Sequence, residues 1–594
     1  MRILSTHVSI EKRKELLSNI IRLIVTLFAS ACCIELAQEC KFDINKYYGL
    51  LIVIPVIFSA WMFSFGKKNA PIRLSSLMVA LLLTFWGLVG MSLDNTEMEC
   101  FFFSKAEPMR VIMYASLCLL VSTFIESLYE CFEKLECKTD SEQHAENEKK
   151  RFAIAFVLII LSWLPFIIAD YPGSVCYDTL KQLKQFNGKG ALNASNPLMV
   201  TMIFGSLFNV GRIIASDNLG IFLNVMFQTI LCAFAMARTC KWIRRLSGSR
   251  IQYYISLIFF MIVPTWGSAA QSVLKDVVHL GFFLLYFVSY IKLLCYRRLT
   301  NTDFIWFVVH ALLAIYSRKA AFAIVAISTI ILVLYKIKEK RYLSQMLIAF
   351  AFILVAHYSI DGLIYANPRI AKPMERENYS LPFQMTARYC KTYGNEMSKE
   401  EIAVIDSVLD FDTIVEKYDP SISDAVKVTF HSTSSEMHEF WKQFIKMGVK
   451  HPQAYVKHLI AGTYKYTYPL TPGTGSYRRY IQKDEEFYNA YYTNKQMHSN
   501  LAKYFEKWEK TVGLELFIGP GMYVWIIVIL LGYAFRNKQL KSIVGIMPVC
   551  ILLVGLFFTH VNGENRYAFP LIASVPMCYV IVVNKKLYKY DTVE

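Results

Sequence analysis

The chain has 594 residues, 55% of them hydrophobic and 18% charged, with a formal charge of +17. Many apolar runs of about 20 residues, each long enough to cross ~30 Å of hydrocarbon, identify a polytopic membrane protein. Its Lys and Arg residues sit mainly in short loops between those runs rather than on one amphipathic face, so the charge reads as membrane anchoring and excludes a nucleic-acid-binding role.

Met1 to Lys14 is polar and basic, and the first apolar run, Asn19 to Gln38, lacks a small-residue cleavage site. It reads as a first transmembrane helix rather than a removable signal. Further spans are expected at about 47–66, 74–93 and 109–131, so that residues 1–132 form a four-helix membrane block. The fourteen cysteines contain no CxxC pair and no Cys/His cluster at zinc spacing, which argues against a structural metal or a disulfide scaffold. Cys40 and Cys100 both fall in outward loops, where pairing and simple apolar filling are the two readings.

After a span at about 152–169 the chain reads Asp170-Tyr-Pro-Gly-Ser-Val-Cys-Tyr-Asp178, with Gln182 one helical turn beyond. Pro172-Gly173 makes a turn, and Asp178 to Phe186 is expected as a short helix along the interface. Asp170 reads as a cap of that turn; Asp178 reads as a functional carboxylate, with capping of the following helix as the alternative. The run Pro197 to Ser216 is apolar but broken by Gly205, Asn209 and Arg212. A full crossing there would invert every later basic loop, so a tilted, re-entrant or interfacial helix is expected.

Spans follow at about 219–237, 251–270, 277–296, 304–317, 320–335 and 343–365, completing a membrane core over residues 150–366 whose first loop is 170–196. Residues 367–513 are the one long polar stretch, enough for a small, mainly helical outward domain. Thr433-x-x-Glu436 is a capping-box signature opening an amphipathic helix, which His451-Pro452 ends while starting another. The tyrosine-rich run from Tyr464 to Tyr492, with Gly473, Gly475, Arg478 and Arg479, suits carbohydrate or lipid headgroups, or else an ordinary domain core. Residues 514–594 carry three last spans, at about 514–535, 542–561 and 567–584. These make about fourteen crossings with both termini inside, and every basic cluster from Lys67/Lys68 to Lys585/Lys586 then lands on one side.

With that topology Asp170, Asp178, Lys275, Asp276, Arg318, Lys319, Glu564 and Arg566, from four distant stretches, share the opposite face. Ionisable groups at membrane edges are costly unless paired or used, so they mark a candidate site. The structural alternatives are snorkelling of Lys275, separate surface ion pairs for Lys275 and Asp276, and anchoring of a helix turn by Arg318 and Lys319.

The segment YPGSVCYD with Gln182, the later Asn196-Pro197, Lys275-Asp276, Ser317-Arg318-Lys319 and Glu564-Asn-Arg566-Tyr567 together resemble bacterial members of the GT-C superfamily of integral-membrane glycosyltransferases, over about residues 150–594. The resemblance implies an all-α polytopic fold, a GT-C-like bundle of about 14 helices with a small helical extracytoplasmic domain. It also implies transfer of a sugar from a polyprenyl-phosphate or polyprenyl-diphosphate donor to a cell-envelope acceptor at the outer face of a bacterial cytoplasmic membrane. On that basis Asp178 is the candidate base, with Asp170 next in line. Lys275, Arg318, Lys319 and Arg566 are the candidate phosphate-binding cations, while Glu564 orients Arg566, and Gln182, Asn196, Asp276 and Tyr567 support the site. Relatives of this type tend to carry histidine where this chain has Asn196, which keeps hydrogen bonding but not a histidine's contact to phosphate or metal. The acidic residues permit a divalent cation without any ligand spacing that demands one. A lipid-linked-sugar transporter and a polysaccharide polymerase are the rival readings. A transporter calls for internal hydropathy symmetry and ionisable groups near the midplane, and the sequence shows neither.

Overall fold

A computed structural model describes residues 73–96, 108–135 and 148–584, apart from single positions at 297, 341, 472, 474, 476 and 560. The expected spans 19–38 and 47–66, and the Cys40/Cys100 pair, lie outside these residues. Helices dominate, and among the described residues the one sheet has two strands of two residues each, so the chain is all-α. Seven described helices are long and apolar enough to cross a membrane: Leu74–Leu93, Val111–Lys134, Glu148–Ala169, Asp217–Ser247, Lys275–Cys295, Leu343–Ala366 and Asn565–Val583. This is a membrane protein by that measure.

The chain divides into two compact units, residues 1–135 with 528–538 and residues 136–527 with 539–594. The first unit thus takes in a C-terminal segment that the expected 1–132 block leaves out. It holds α1 (Leu74–Thr96) and α2 (Pro108–Lys134). Here Arg536 is buried against Glu126 at 2.5 Å and Glu133 at 3.6 Å, with its guanidinium over the Tyr129 ring at 5.4 Å. A buried guanidinium is tolerated because carboxylates and a ring face replace its water.

The second unit runs α3 (Glu148–Ala169), β1 (Ser174–Val175), α4 (Tyr177–Phe186), α5 (Leu198–Ile214), α6 (Asp217–Ser247), α7 (Arg250–Ile262), α8 (Pro264–Gln271), β2 (Ser272–Val273), α9 (Lys275–Cys295), α10 (Asn301–Ser317), α11 (Ala321–Glu339) and α12 (Leu343–Ala366). The expected span 251–270 is in fact the pair α7 and α8, bent by 52° where Pro264 opens the second helix. Proline suits a first helical turn but cannot continue the hydrogen bonding of a preceding one.

Two ends of this unit can be told apart. At one end Glu148, opening α3, pairs with Lys241 at 3.2 Å and Arg245 at 3.5 Å near the close of α6, and Asn584 donates to Leu246 O at 2.7 Å. Tyr296, just past α9, packs there on Trp242. The other end gathers the close of α3, the openings of α6 and α9, and Asn562 to Arg566. Helix α5 stays at this second end. Its N-terminal neighbour Asn196 meets Lys275, while Arg212 near its close pairs with Asp217 at 2.6 Å and donates to Phe487 O at 2.6 Å. Helix α6, rising about 46 Å, is long enough to extend well beyond ~30 Å of hydrocarbon, and α5 folds back on its first turns.

The polar stretch after α12 folds as α13 (Ser380–Tyr393), α14 (Lys399–Asp406), α15 (Phe411–Lys417), α16 (Asp424–Lys427), α17 (Ser434–Lys450), α18 (Pro452–Ala461) and α19 (Lys495–Lys510). A core including Phe383, Ile405, Leu409, Ile414, Val426 and Phe440 holds it together. The Thr433/Glu436 capping box is present, and α18 starts at Pro452 as its sequence requires. The chain closes with α20 (Gly521–Arg536), α21 (Leu540–Leu556) and α22 (Asn565–Val583). Helix α20 starts seven residues later than the expected span at 514, because the Glu515–Phe517 turn and Pro520 intervene.

Helices α5 and α6 approach at Gly211 and Gly220. A Cβ on Gly211 lies 2.4 Å from the Gly220 backbone nitrogen, with no flexible side chain to yield. Gly211→Leu is therefore expected to cost roughly 1–3 kcal/mol or more and to lower the thermal unfolding temperature in detergent. Gly362→Ala, whose Cβ meets nothing within 4 Å, is the matched control and leaves that temperature unchanged or slightly higher.

Candidate functional site

The site begins at the turn after α3. Gly173 has φ +127, and a Cβ there meets Val225 at 2.4 Å and Gln271 O at 2.9 Å, so glycine alone fits. The next two residues form β1, which pairs in parallel with β2, Ser174 opposite Ser272 and Val175 opposite Val273. Each strand runs almost at once into a helix, α4 from one and α9 from the other. That matched step sets Asp178 and Lys275 side by side, with Lys275 Nζ donating to Asp178 Oδ2 at 3.1 Å.

Lys275 also donates to Asn196 Oδ1 at 2.5 Å, so the residue before α5 joins the cluster. Arg566, in the first turn of α22, donates to the same Asp178 Oδ2 at 3.2 Å. Asp178 does not cap α4: the cap position is Cys176, whose side chain meets Thr179 Oγ1 at 3.3 Å and caps no backbone N–H. Both cations meet one carboxylate oxygen, and no described side chain hydrogen-bonds Oδ1. The side chain of Asp178 is 34% exposed.

Asp276 forms the second node. It is buried at the opening of α9, near Arg318 at 3.6 Å and Arg566 at 3.8 Å, and neither of its oxygens accepts a hydrogen bond from the described residues. His279, one turn further on, bonds Ser317 Oγ at 2.9 Å and so ties the close of α10 to α9, which delivers Arg318. The Tyr567 ring takes the Arg318 guanidinium at 4.6 Å and that of Arg566 at 5.1 Å. Glu564 lies 3.5 Å from Arg566 and ion-pairs with Arg478.

Of the sequence-named residues, the structure thus brings together Asp178, Asn196, Lys275, Asp276, Arg318, Glu564, Arg566 and Tyr567. Lys319 lies in the α10–α11 link, where partial desolvation and then Lys275 lower its pKa. Gln182 faces away from this network, buried and donating to Thr201 Oγ1 at 2.9 Å. Asp170 stands apart from it, accepting from Tyr477 Oη at 2.7 Å and His498 Nδ1 at 2.6 Å. Burial raises the Asp170 pKa against those two hydrogen bonds. It acts as an anchor for the polar segment, not as a cap of its own turn.

That segment adds what the sequence did not reveal. Residues near 480 pair with β1, through Val175 N to Tyr480 O at 3.1 Å and Gln482 N to Val175 O at 2.8 Å. Ser174 Oγ and Gln271 Nε2 both donate to Arg478 O, at 2.8 and 2.7 Å, placing the arginine beside Glu564. Of the two readings of the tyrosine-rich run, an open aromatic surface and an ordinary core, most of the tyrosines follow the second. Tyr464, Tyr466, Tyr468 and Tyr488 are buried, and Tyr466 donates to Val561 O at 2.9 Å; Tyr480 and Tyr491 remain exposed. Among the described residues no three His, Cys, Asp or Glu side chains gather as a metal site.

Burial opposes ionisation of Asp178, but Lys275 and then Arg566 outweigh it and hold its pKa at about 2. A carboxylate depressed in this way contributes stability present above its ordinary pKa of about 4, lost as the pH falls towards about 2. Lys275→Met removes the larger of the two attractions, so Asp178 is expected to take up its proton at higher pH than in the wild type. Infrared titration of the protonated carboxyl band, assigned by difference from Asp178→Asn, reads that movement, and no upward movement contradicts the assignment.

No curated protein and no solved structure matches the chain. A family model described as a family of unknown function (DUF6020) matches residues 188–593, a stretch that includes Asn196, Lys275, Asp276, Arg318, Lys319, Glu564, Arg566 and Tyr567 and begins just after α4. With more than half of its length matched, the chain belongs to the DUF6020 family.

Proposed function

We propose that this protein is a GT-C-type membrane glycosyltransferase, moving a sugar from a polyprenyl-linked donor to a cell-envelope glycan, lipid or protein. The observation that carries the reading is the convergence of Lys275 and Arg566 on one oxygen of Asp178, with Arg318 held beside them by Asp276. Transfer at an anomeric carbon asks for this combination. The acceptor hydroxyl must lose a proton, and the phosphate that leaves gains negative charge.

In the proposed reaction the acceptor oxygen bonds to the anomeric carbon while the bond from that carbon to the phosphate oxygen breaks. The electron pair passes to the phosphate, where Lys275, Arg318 and Arg566 oppose its charge; the acceptor proton passes to Asp178 Oδ1. Arginine forks and a lysine point charge suit phosphate oxygens in a partly dehydrated setting. The lipid tail stays in the bilayer beside the apolar helices.

The proposed orientation puts the Asp178 end and residues 367–513 on the outer face of a bacterial cytoplasmic membrane, with both termini inside. About fourteen crossings follow when the bent pair α7 and α8, the helix α10, the shorter apolar helices α11, α20 and α21, and the two early apolar runs are counted with the seven long helices, and α5 is not. The gathering of Lys241 and Arg245 at the end opposite Asp178 supports this orientation.

Two experiments test the reading. In intact cells an impermeant thiol reagent is expected to label Tyr480→Cys and spare Lys340→Cys; the reverse pattern sinks the orientation. In reconstituted protein Asp178→Asn is expected to lower turnover by roughly 10²- to 10⁴-fold with little change in donor binding. Arg318→Ala weakens donor binding as well, because its contact exists before reaction. Full transferase activity in Asp178→Asn refutes the assigned base.

A further inference from the structure

Helix α19 is held at the edge of the hydrocarbon. Its Phe505 is buried with Phe166, about one turn before α3 closes at Ala169, and with Ile518, shortly before α20 opens at Gly521. Leu501 and Trp508 pack against the same cluster. Nearer the start of the helix His498 Nδ1 lies 2.6 Å from Asp170 Oδ1, and Tyr477, which also bonds Asp170, stacks on Phe505 at 5.0 Å. Contacts to the close of one apolar span and to the approach of another leave the rest of the helix surface at headgroup level.

That surface is divided lengthwise. Met497, Leu501, Tyr504 and Trp508 recur at the three- and four-residue spacing of one helical stripe. Met497 and Tyr504 are exposed, and the Trp508 ring meets Tyr504 edge-on at 6.4 Å. Lys503 and Lys507, one position before Tyr504 and Trp508, are exposed beside the stripe and form no ion pair with a described residue. The far flank is polar: Ser499 is exposed there, and Glu506 takes Lys510 at 2.6 Å. Past the helix, Val512 and Phe517 continue the exposed apolar surface towards α20. An apolar flank with two aromatic rings, bordered by two unopposed lysines, matches a helix whose rings sit at the acyl boundary and whose ammonium groups reach phosphate level.

We propose that α19 is a docking surface for anionic phospholipid, with Met497, Tyr504 and Trp508 entering the headgroup boundary of the leaflet at this end and Lys503 and Lys507 binding its phosphates. Two observations name lipid as the occupant over a protein partner. The apolar flank adjoins a cluster shared with the membrane helix α3 and leads on towards α20, and the unopposed charge beside it is positive. The proposal stands independently of the transferase reading.

The test uses full-length protein in phosphatidylcholine nanodiscs containing an equal minor share of either brominated phosphatidylglycerol or brominated phosphatidylcholine, with the bromines high on the acyl chains. The Trp508 contribution is the difference in emission between wild type and Trp508→Phe. Both lipids are expected to quench it, the anionic one as a local excess of roughly fivefold per lysine requires, and the excess falls with added salt. Lys503→Gln combined with Lys507→Gln is expected to bring the two lipids level while phosphatidylcholine still quenches Trp508, which shows the helix in place. Tyr504→Trp in otherwise wild-type protein, read as a gain in emission, is a second reporter on the same flank and is expected to show the same preference; Ser499→Trp is expected to escape both lipids. Absence of quenching at Trp508 and Tyr504→Trp overturns the proposal, as does quenching of Ser499→Trp as strong as theirs. Equal quenching of wild-type Trp508 by the two lipids overturns it too, and so does a phosphatidylglycerol preference that survives loss of both lysines.

Discussion

The burial of Asp276 is the constraint on which the rest of this end of the molecule depends. A carboxylate taken from water costs several kcal/mol unless opposite charge stands close by, and Asp276 has Arg318 from the close of α10 and Arg566 from the opening of α22. The ends of three helices, two of them consecutive and the third far along the chain, are thereby required to meet at the same place. Arg566 then extends the network to Asp178, and Lys275, the neighbour of Asp276 on α9, closes it from the other side. Removing any member strands a charge that the others were balancing.

The same network gives the polar segment a reason to fold over the membrane helices. Glu564 beside Arg566 needs a second cation, and Arg478 supplies it from a stretch whose position is fixed by strand-like pairing with β1 and by Ser174 and Gln271. Asp170 holds the adjoining stretch through Tyr477 and His498. The Tyr492 and His498 rings stack 4.3 Å apart, and Ser174 Oγ lies 2.8 Å from Tyr492 Oη, so anchor and strand belong to one hydrogen-bonded layer. Displacing this layer moves Arg478 and with it the orientation of Arg566.

Local rules made part of this legible in the sequence. The α4 helix with Gln182 a turn from Asp178, the capping box at Thr433 and the restart at Pro452 each follow from a few neighbouring residues. Charges at the edges of apolar runs also stood out, because hydrocarbon makes them expensive. Arg478 and Tyr477 showed only as members of the tyrosine-rich run, not as partners of Glu564 and Asp170, and His498 did not stand out, because in a polar stretch a charged or aromatic residue costs little and carries no signal of its partner. The strands at Ser174 and Ser272 are too short to show alternation, yet they align Asp178 with Lys275. Asp170 looked like a local cap because its partners lie some 300 residues away. Helix α6 extends past the expected 219–237 at both ends, since its polar last turns are stabilised by Glu148 and a left-handed Gly248, neither of which hydropathy measures.

Asp178 presents a chemical tension that the proposed reaction resolves. A carboxyl held at about 2 is a weak base near neutral pH, where general-base catalysis favours a pKa closer to the working value. The weakness has a specific source, the two cations on Oδ2, and these are the groups that an incoming phosphate attracts. When the phosphate shares Lys275 and Arg566, their hold on Asp178 weakens and its proton affinity rises; by linkage, protonation of Asp178 in turn strengthens the grip on phosphate. Donor binding and base strength are then two readings of one competition for the same pair of cations. In the proposed reaction, an acceptor arriving before the donor would meet a carboxylate held by two cations, whereas one arriving after it would meet a stronger base beside the leaving phosphate.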